Sequence, residues 1–227
     1  MNKERIAREI NKESLRHNLC RFTWQAYHSL PELKEPRILD LGCGTGIPTI
    51  EIAVLSRGLI SAVDKDRAAL ETLRAKVRAL DLKKHIFIKK QDFRHLKYKN
   101  EFFDIVWCEG AVAAIGFENG LRLWRRFLKQ GGYMVIHDEI KAYQHKLGLI
   151  PESGYHLKEY FMISASIWMR EYFQPLDRRI TQLKQKYADD KNILELLEKE
   201  AYEVDRFRQN PEEFASIFYI LKKSRSG

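Results

Sequence analysis

The chain has 227 residues and a net charge of +9, with 44% hydrophobic and 31% charged residues. That length suffices for one well-cored α/β domain with extra helices, and the balance excludes a fibrous or wholly disordered chain. No apolar run approaches the ~20 residues of a membrane-spanning helix. The start, MNKERIAREINKESLRHNL, is charged throughout and lacks a signal-peptide core, so a cytoplasmic location is expected. Cys20, Cys43 and Cys108 are an odd count without a C-x-x-C pair, which favours free thiols over a disulfide frame or a metal site.

Residues 1–30 read as helical, with Ile6 and Ile10 one turn apart, and Pro31 and Pro36 bracket a connection into a first strand, Arg37–Leu41. The stretch Arg37–Ala53, RILDLGCGTGIPTIEIA, then runs from an apolar strand through Gly42, Gly44 and Gly46 into a helical pattern. Strand, glycine loop and helix form a nucleotide-type cradle, because glycines permit the tight turn and let backbone N–H groups approach a ligand. Pro48 suits a first helical turn, where its missing N–H has no partner to lose. A second strand is expected at Leu59–Val63, ending at Asp64, with Asp66 capping a helix whose apolar face is Leu70, Leu73, Val77 and Leu80. Further strands are expected at Ile86–Lys90 and Asp104–Cys108. A helix carrying Leu121, Trp124 and Leu128 follows, closed by Gly131 and Gly132 before a fifth strand, Tyr133–His137. Strand–helix alternation predicts a parallel sheet with helices on both faces.

The last third departs from this rhythm. Tyr155–Ile163 and Ala215–Leu221 read as strands, separated by about fifty residues of helical pattern broken at Asp189–Asp190. An insert of that length is not a simple connection, and it is read as a cap over the ligand edge of the sheet, with a structural helix pair as the alternative. The aromatic residues Tyr160, Phe161, Trp168, Tyr172 and Phe173 suggest a pocket for an apolar or cationic small molecule, or plain core packing. The positive excess concentrates in residues 37–138. A basic surface attracts nucleic acid, but these positions suit solvated helix faces and strand ends, without interleaved aromatics, so nucleic acid is disfavoured but left open.

Ligands in open α/β sheets bind beyond the carboxyl ends of the strands. Asp40, Asp64, Asp92 and Glu109 fall at four such ends, and Asp64 lies eighteen residues past Gly46, an offset suited to accepting hydrogen bonds from ribose hydroxyls. The glycine spacing is G-x-G-x-G rather than the G-x-G-x-x-G of dinucleotide binders.

Over residues 36–138 the chain resembles the class I S-adenosylmethionine (SAM) dependent methyltransferases. The stretch Trp107–Glu139 is similar to a bacterial and archaeal branch of small-molecule methyltransferases, through Glu109–Gly110–Ala111, Ile115–Gly116–Phe117 and Trp124–Arg125. The resemblance implies a Rossmann-like, mostly parallel seven-stranded sheet flanked by helices, with the helical cap inserted between the last two strands. It implies that Gly42, Cys43, Gly44 and Gly46 line the methionine and ribose of SAM, with Asp40 near the amino group. It further implies that Asp64 and Lys65 lie at the ribose, that Gln91, Asp92 and Phe93 meet the adenine, and that Cys108 and Glu109 border the transfer site. No Asn-Pro-Pro-Tyr-like motif follows the fourth strand, and Cys108 lacks the preceding proline of cytosine-C5 enzymes.

Methyl transfer from a sulfonium is an in-line displacement, in which alignment alone can contribute ~7–11 kcal/mol. An oxygen or nitrogen acceptor also has a proton to lose to a positioned base. The candidates are Glu109, His137 and Asp138, with Glu109 first, as base or as anchor for a cationic acceptor. His137 has a structural hydrogen-bonding alternative, and Asp138 or Glu139 a capping one. A metal held by His137, Asp138 and Glu139 is disfavoured because neighbours on a strand alternate faces.

The segments expected are a helical stretch 1–36, a SAM-binding core 37–164, a helical cap 165–213 and a final strand 214–227. The function expected is a SAM-dependent methyltransferase (EC 2.1.1.-) acting on a small-molecule acceptor under a helical lid, with S-adenosylhomocysteine as product. The alternatives are an RNA or protein methyltransferase, or a non-catalytic SAM-binding protein. No membrane association and no metal are expected, and the oligomeric state is open.

Overall fold

The computed structural model describes residues 2–225. Met1 and residues 226–227, which end the first and last expected segments, lie outside the described residues. Seven strands, β1 (Arg37–Leu41), β2 (Leu59–Asp64), β3 (Ile86–Lys90), β4 (Phe103–Glu109), β5 (Leu128–Glu139), β6 (Tyr155–Ile163) and β7 (Ser216–Lys223), form one sheet in the order β3-β2-β1-β4-β5-β7-β6. The pairs β1–β2, β2–β3, β1–β4 and β4–β5 are parallel. The order reverses between β1 and β4, which is where an open α/β sheet leaves a crevice at its carboxyl edge.

The chain divides into two compact units. The first is the sheet unit, Cys20–Met162 with the last strand from Ile217 onward. It contains helices α3 (Cys20–His28), α4 (Ile47–Ser56), α5 (Arg67–Ala79), α6 (Phe117–Arg125) and α7 (Tyr143–Glu152). Two local devices hold its glycine-rich end. Pro48 sits in the first turn of α4, and Asp66 caps α5 by accepting from the N–H groups of Ala68 at 2.8 Å and Ala69 at 3.2 Å. One sheet face is covered by a core including Val106, Cys108, Leu121, Trp124, Ile136 and Tyr219. Trp124 donates its indole N–H to the Phe93 carbonyl at 3.1 Å, and Arg125 reaches the carbonyls of Gly154 and Ser224. The Trp124–Arg125 pair singled out in the sequence is therefore a clamp on neighbouring loops.

Two expectations need correction. Gly131 and Gly132 do not close a helix: α6 ends at Arg125, and both glycines lie inside β5. The β4–β5 register is interrupted there, jumping from Phe103↔Leu128 to Ile105↔Tyr133. Gly131 has φ 71°, and an irregularity that admits extra residues needs such a backbone. Leu80 leaves the apolar face of its helix because it is the C-cap, 56% exposed.

The second unit comprises the residues up to Leu19 and Ile163–Ser216. The N-terminal helical stretch is broken: α1 (Asn2–Ile10) and α2 (Lys12–His17) are separated by Asn11 in the left-handed region, and α3 belongs to the sheet unit. The insert between β6 and β7 holds α8 (Ala165–Trp168), a π-helical turn at Met169–Phe173, α9 (Gln174–Lys186) and α10 (Lys191–Gln209). Ile6, Ile10, Leu15, Tyr172, Phe173, Ile180, Leu197 and Phe207 share one apolar core. Arg179 donates to the carbonyls of Ile10 and Asn11 and to the Ser14 hydroxyl, each at 2.8 Å, tying α9 to the break between α1 and α2. Tyr172 and Phe173 are buried here, so they pack a core and do not line a pocket. Among the described residues no helix is long and apolar enough to cross a membrane.

Candidate active site

The glycine loop is pinned at both ends and open in the middle. Gly42 and Cys43 donate their N–H groups to the Val63 carbonyl at 2.8 and 3.1 Å, folding the tip of β1 over β2. Gly44 donates to Asp64 Oδ2 at 2.8 Å, and Asp66 donates to Asp64 Oδ1 at the same distance. All three glycines have positive φ, but their surroundings differ. A Cβ on Gly42 would lie 2.3 Å from Ala111 Cβ, and one on Gly46 would lie 2.1 Å from Leu73 Cδ1. Both are close-approach glycines. A Cβ on Gly44 would meet nothing within 4 Å, so this glycine faces open space with its backbone aimed at a carboxylate.

Asp40 and Glu109 occupy the crevice from either side of the switch point. Asp40 pairs in register with Trp107, two residues before Glu109 on the neighbouring strand. Asp40 is 3% exposed and accepts from the Thr49 hydroxyl at 2.6 Å. Burial pushes its carboxyl up to about 7, opposed by the Thr49 bond and reinforced by Asp64. Glu109 accepts from the Trp107 indole at 2.8 Å and the Thr23 hydroxyl at 3.2 Å, one donor per oxygen. The residue keeps some exposure, yet the dense protein around its carboxyl also pushes it up to about 7, against the two hydrogen bonds and with added repulsion from Asp40. Desolvation opposes the charged form, so both acids sit near the neutral range where a proton can be held or released.

Residues at the third and fifth strand ends behave differently. Asp92 is clasped by the Arg94 guanidinium, with contacts of 2.9 Å and 2.5 Å, and is held well below the usual carboxylate range. The Gln91 side-chain oxygen is buried without a hydrogen-bond partner, leaving an acceptor available to a ligand's donor. Phe93 meets Trp124 edge-on at 5.7 Å and also flanks Gly42, while Lys65 is exposed. Burial raises the Cys43 and Cys108 thiols, first by desolvation, which argues against either as a nucleophile. His137 is level with Glu109 across β4–β5, and its ring stacks on Phe218 at 4.4 Å. Asp138 points from the opposite face and pairs with Lys146 at 2.7 Å. Neither Asp138 nor Glu139 caps α7, whose N-cap is Ala142.

The structure thus brings Asp40, the loop glycines, Asp64 and Glu109 to one edge, with His137 beside them, and leaves Asp138 on the far face. The sequence reading missed Thr23, Thr49 and Trp107 as partners of the two acids. Trp107 was legible, since residues two apart on a strand share a face. Thr23 carried no signal, because its partner is 86 positions away.

A mostly parallel sheet reversing between β1 and β4, with a G-x-G-x-G loop at the reversal, is a Rossmann-like methyltransferase fold. Residues 38–132 match the methyltransferase domain family. Among curated proteins it is similar to methyltransferase GfsG of Streptomyces halstedii, 29% identical over 119 residues. That match takes in 52% of this chain and 43% of the relative, so the chain spans less than half of the relative's length. Among solved structures, the [4+2]-cyclase SpnF superposes with a TM-score of 0.76 at 17% identity, covering 91% of this chain and 81% of that one. A SAM-dependent methyltransferase from Thiobacillus denitrificans, in complex with S-adenosylhomocysteine, gives 0.71 at 17% identity, with coverages of 88% and 90%. At such identities the two structures share the fold.

Proposed function

We propose that the chain is a SAM-dependent methyltransferase that acts on a hydroxyl or amino group of a small molecule. The observation that carries this reading is Gly44: open space at its Cα, positive φ, and its N–H on the carboxylate that ends β2. The residues present fit the cofactor. Gly42, Cys43, Gly44 and Gly46 supply a backbone cradle, Asp40 and Asp64 supply acids for an ammonium group and ribose hydroxyls, and Gln91 supplies a buried acceptor for the adenine region. Asp92 is already engaged by Arg94, so Gln91 and Phe93 are the better candidates for the base, with Lys65 and Cys108 at the margins.

When bound, SAM supplies an electrophilic methyl group on sulfur. In this reading the chain aligns the acceptor and excludes water, and Glu109 holds the acceptor proton, with His137 as neighbour. Asp138 is reassigned to anchoring α7 through Lys146. The direct test of function incubates the protein with methyl-labelled SAM and an extract of its source cells. Label in small molecules supports the proposal, label in RNA or protein overturns the acceptor class, and absence of SAM binding by calorimetry overturns the whole reading. The likeness to a cyclase makes the transfer assay necessary, since fold alone does not fix the reaction.

A further inference from the structure

On the sheet face that carries Glu109, aromatic side chains continue from it across three strands. The His137 ring on β5 stacks on Phe218 of β7 at 4.4 Å with an interplanar angle of 14°. Phe218 stacks on Phe161 of β6 at 5.0 Å and 20°, and Phe22 of α3 lies 6.5 Å from Phe161 at 31°. All these residues belong to the sheet unit. Phe218 is buried, whereas Glu109, His137, Phe161 and Phe22 each keep partial exposure. A row of mutually stacked rings with accessible members presents ring edges along one apolar strip, and a flat apolar molecule laid on it makes edge-to-face pairs worth about 0.5–1.5 kcal/mol each beyond area burial.

The polar end of the row is a carboxyl held by two neutral donors, Trp107 and Thr23. The Arg21 guanidinium lies over the Phe22 ring at 4.8 Å, while both side-chain donors on Glu109 are neutral. An anionic group placed on that carboxyl would meet Glu109 with Asp40 behind it.

We propose, on the basis of the methyltransferase reading above, that the acceptor is an uncharged, flat hydroxyl compound of the phenol type. It lies against Phe161, Phe22 and His137 with its hydroxyl on Glu109. In the transfer the acceptor oxygen bonds the methyl carbon, the carbon–sulfur bond breaks with its electron pair on sulfur, and the hydroxyl proton passes to the Glu109 carboxylate. The titratable groups around that carboxylate are Asp40 on β1, Cys108 on β4, His137 on β5 and Cys20 on α3.

The test titrates 2-naphthol, 2-naphthoate and naphthalen-2-ylmethylammonium into protein with and without saturating S-adenosylhomocysteine, read by calorimetry. Expected is saturable binding of 2-naphthol, at least tenfold tighter than 2-naphthoate and tighter than the ammonium compound. Phe161→Ala should weaken that binding about tenfold and Phe161→Leu less, both with unchanged S-adenosylhomocysteine affinity. Equal or tighter binding of the naphthoate or the ammonium compound overturns the proposal. So does absence of naphthol binding to protein that binds S-adenosylhomocysteine, and that outcome leaves the methyltransferase reading standing. Loss of S-adenosylhomocysteine binding itself overturns both.

Discussion

The two halves of the sheet end in different chemistry. At β1 and β2 the edge is backbone: Gly42, Cys43 and Gly44 donate to the Val63 carbonyl and the Asp64 carboxylate, and side chains are withheld. At β5, β7 and β6 the same edge is side chain, a stacked series of His137, Phe218 and Phe161. Glu109 on β4 stands between them. A backbone cradle recognises a constant ligand, because its donors are fixed by the turn whatever the neighbouring residues are. An aromatic surface selects by shape and can be rebuilt by substitution. The difference teaches that the first half can be shared with distant relatives while the second is free to define the individual protein.

Breaking the backbone half should give the largest effect. Gly42→Ala forces a left-handed non-glycine residue against Ala111 at 2.3 Å, combining about 1–2 kcal/mol of backbone penalty with about 1–3 kcal/mol of overpacking. The expected outcome is a lowered thermal midpoint and no SAM binding by calorimetry. Glu109→Gln removes the base from the junction while retaining shape. Labelled methyl transfer should fall by about 10²-fold or more, with SAM affinity within a fewfold of the parent; unaltered turnover would remove Glu109 from the mechanism.

Smaller effects sharpen the comparison. Asp64→Asn leaves one amide oxygen facing two backbone donors, from Gly44 and Asp66. SAM affinity should drop about tenfold, in line with about 1–2 kcal/mol for a lost charged hydrogen bond. Thr23→Val deletes a donor that favours the Glu109 carboxylate. The pH at which transfer rises, near 7 in the parent, should therefore move upward by a fraction of a unit, which a kcat/KM profile measures.

The raised acids also predict a pH effect on stability. A carboxyl with a folded value above its unfolded one binds more protons when folded. Its contribution is full below the unfolded value near 4–4.5 and is lost as pH rises toward about 7, flat beyond that. Ligand-free protein should lose stability between about pH 4.5 and 7, and Glu109→Gln should reduce that loss by about 1–2 kcal/mol over the interval, as denaturant melts at each pH would record.

The sequence by itself determined the cradle: the G-x-G-x-G spacing, Pro48 in the first turn of α4, the cap at Asp66 and the acids at strand ends are all local patterns, set by φ restrictions and strand periodicity within a few residues. It also marked the helical insert and its break at Asp190. Only the tertiary structure decided the rest. Gly131 and Gly132 read as a helix stop but serve an interrupted strand register, because pairing with β4 overrides local punctuation. Tyr172 and Phe173 read as pocket residues but fill a helical core with Phe207. Thr23 reaches Glu109 across 86 positions, and Phe161, Phe218 and His137 stack from three strands. Contacts of that kind depend on strand order and packing, quantities that no local pattern in the chain encodes.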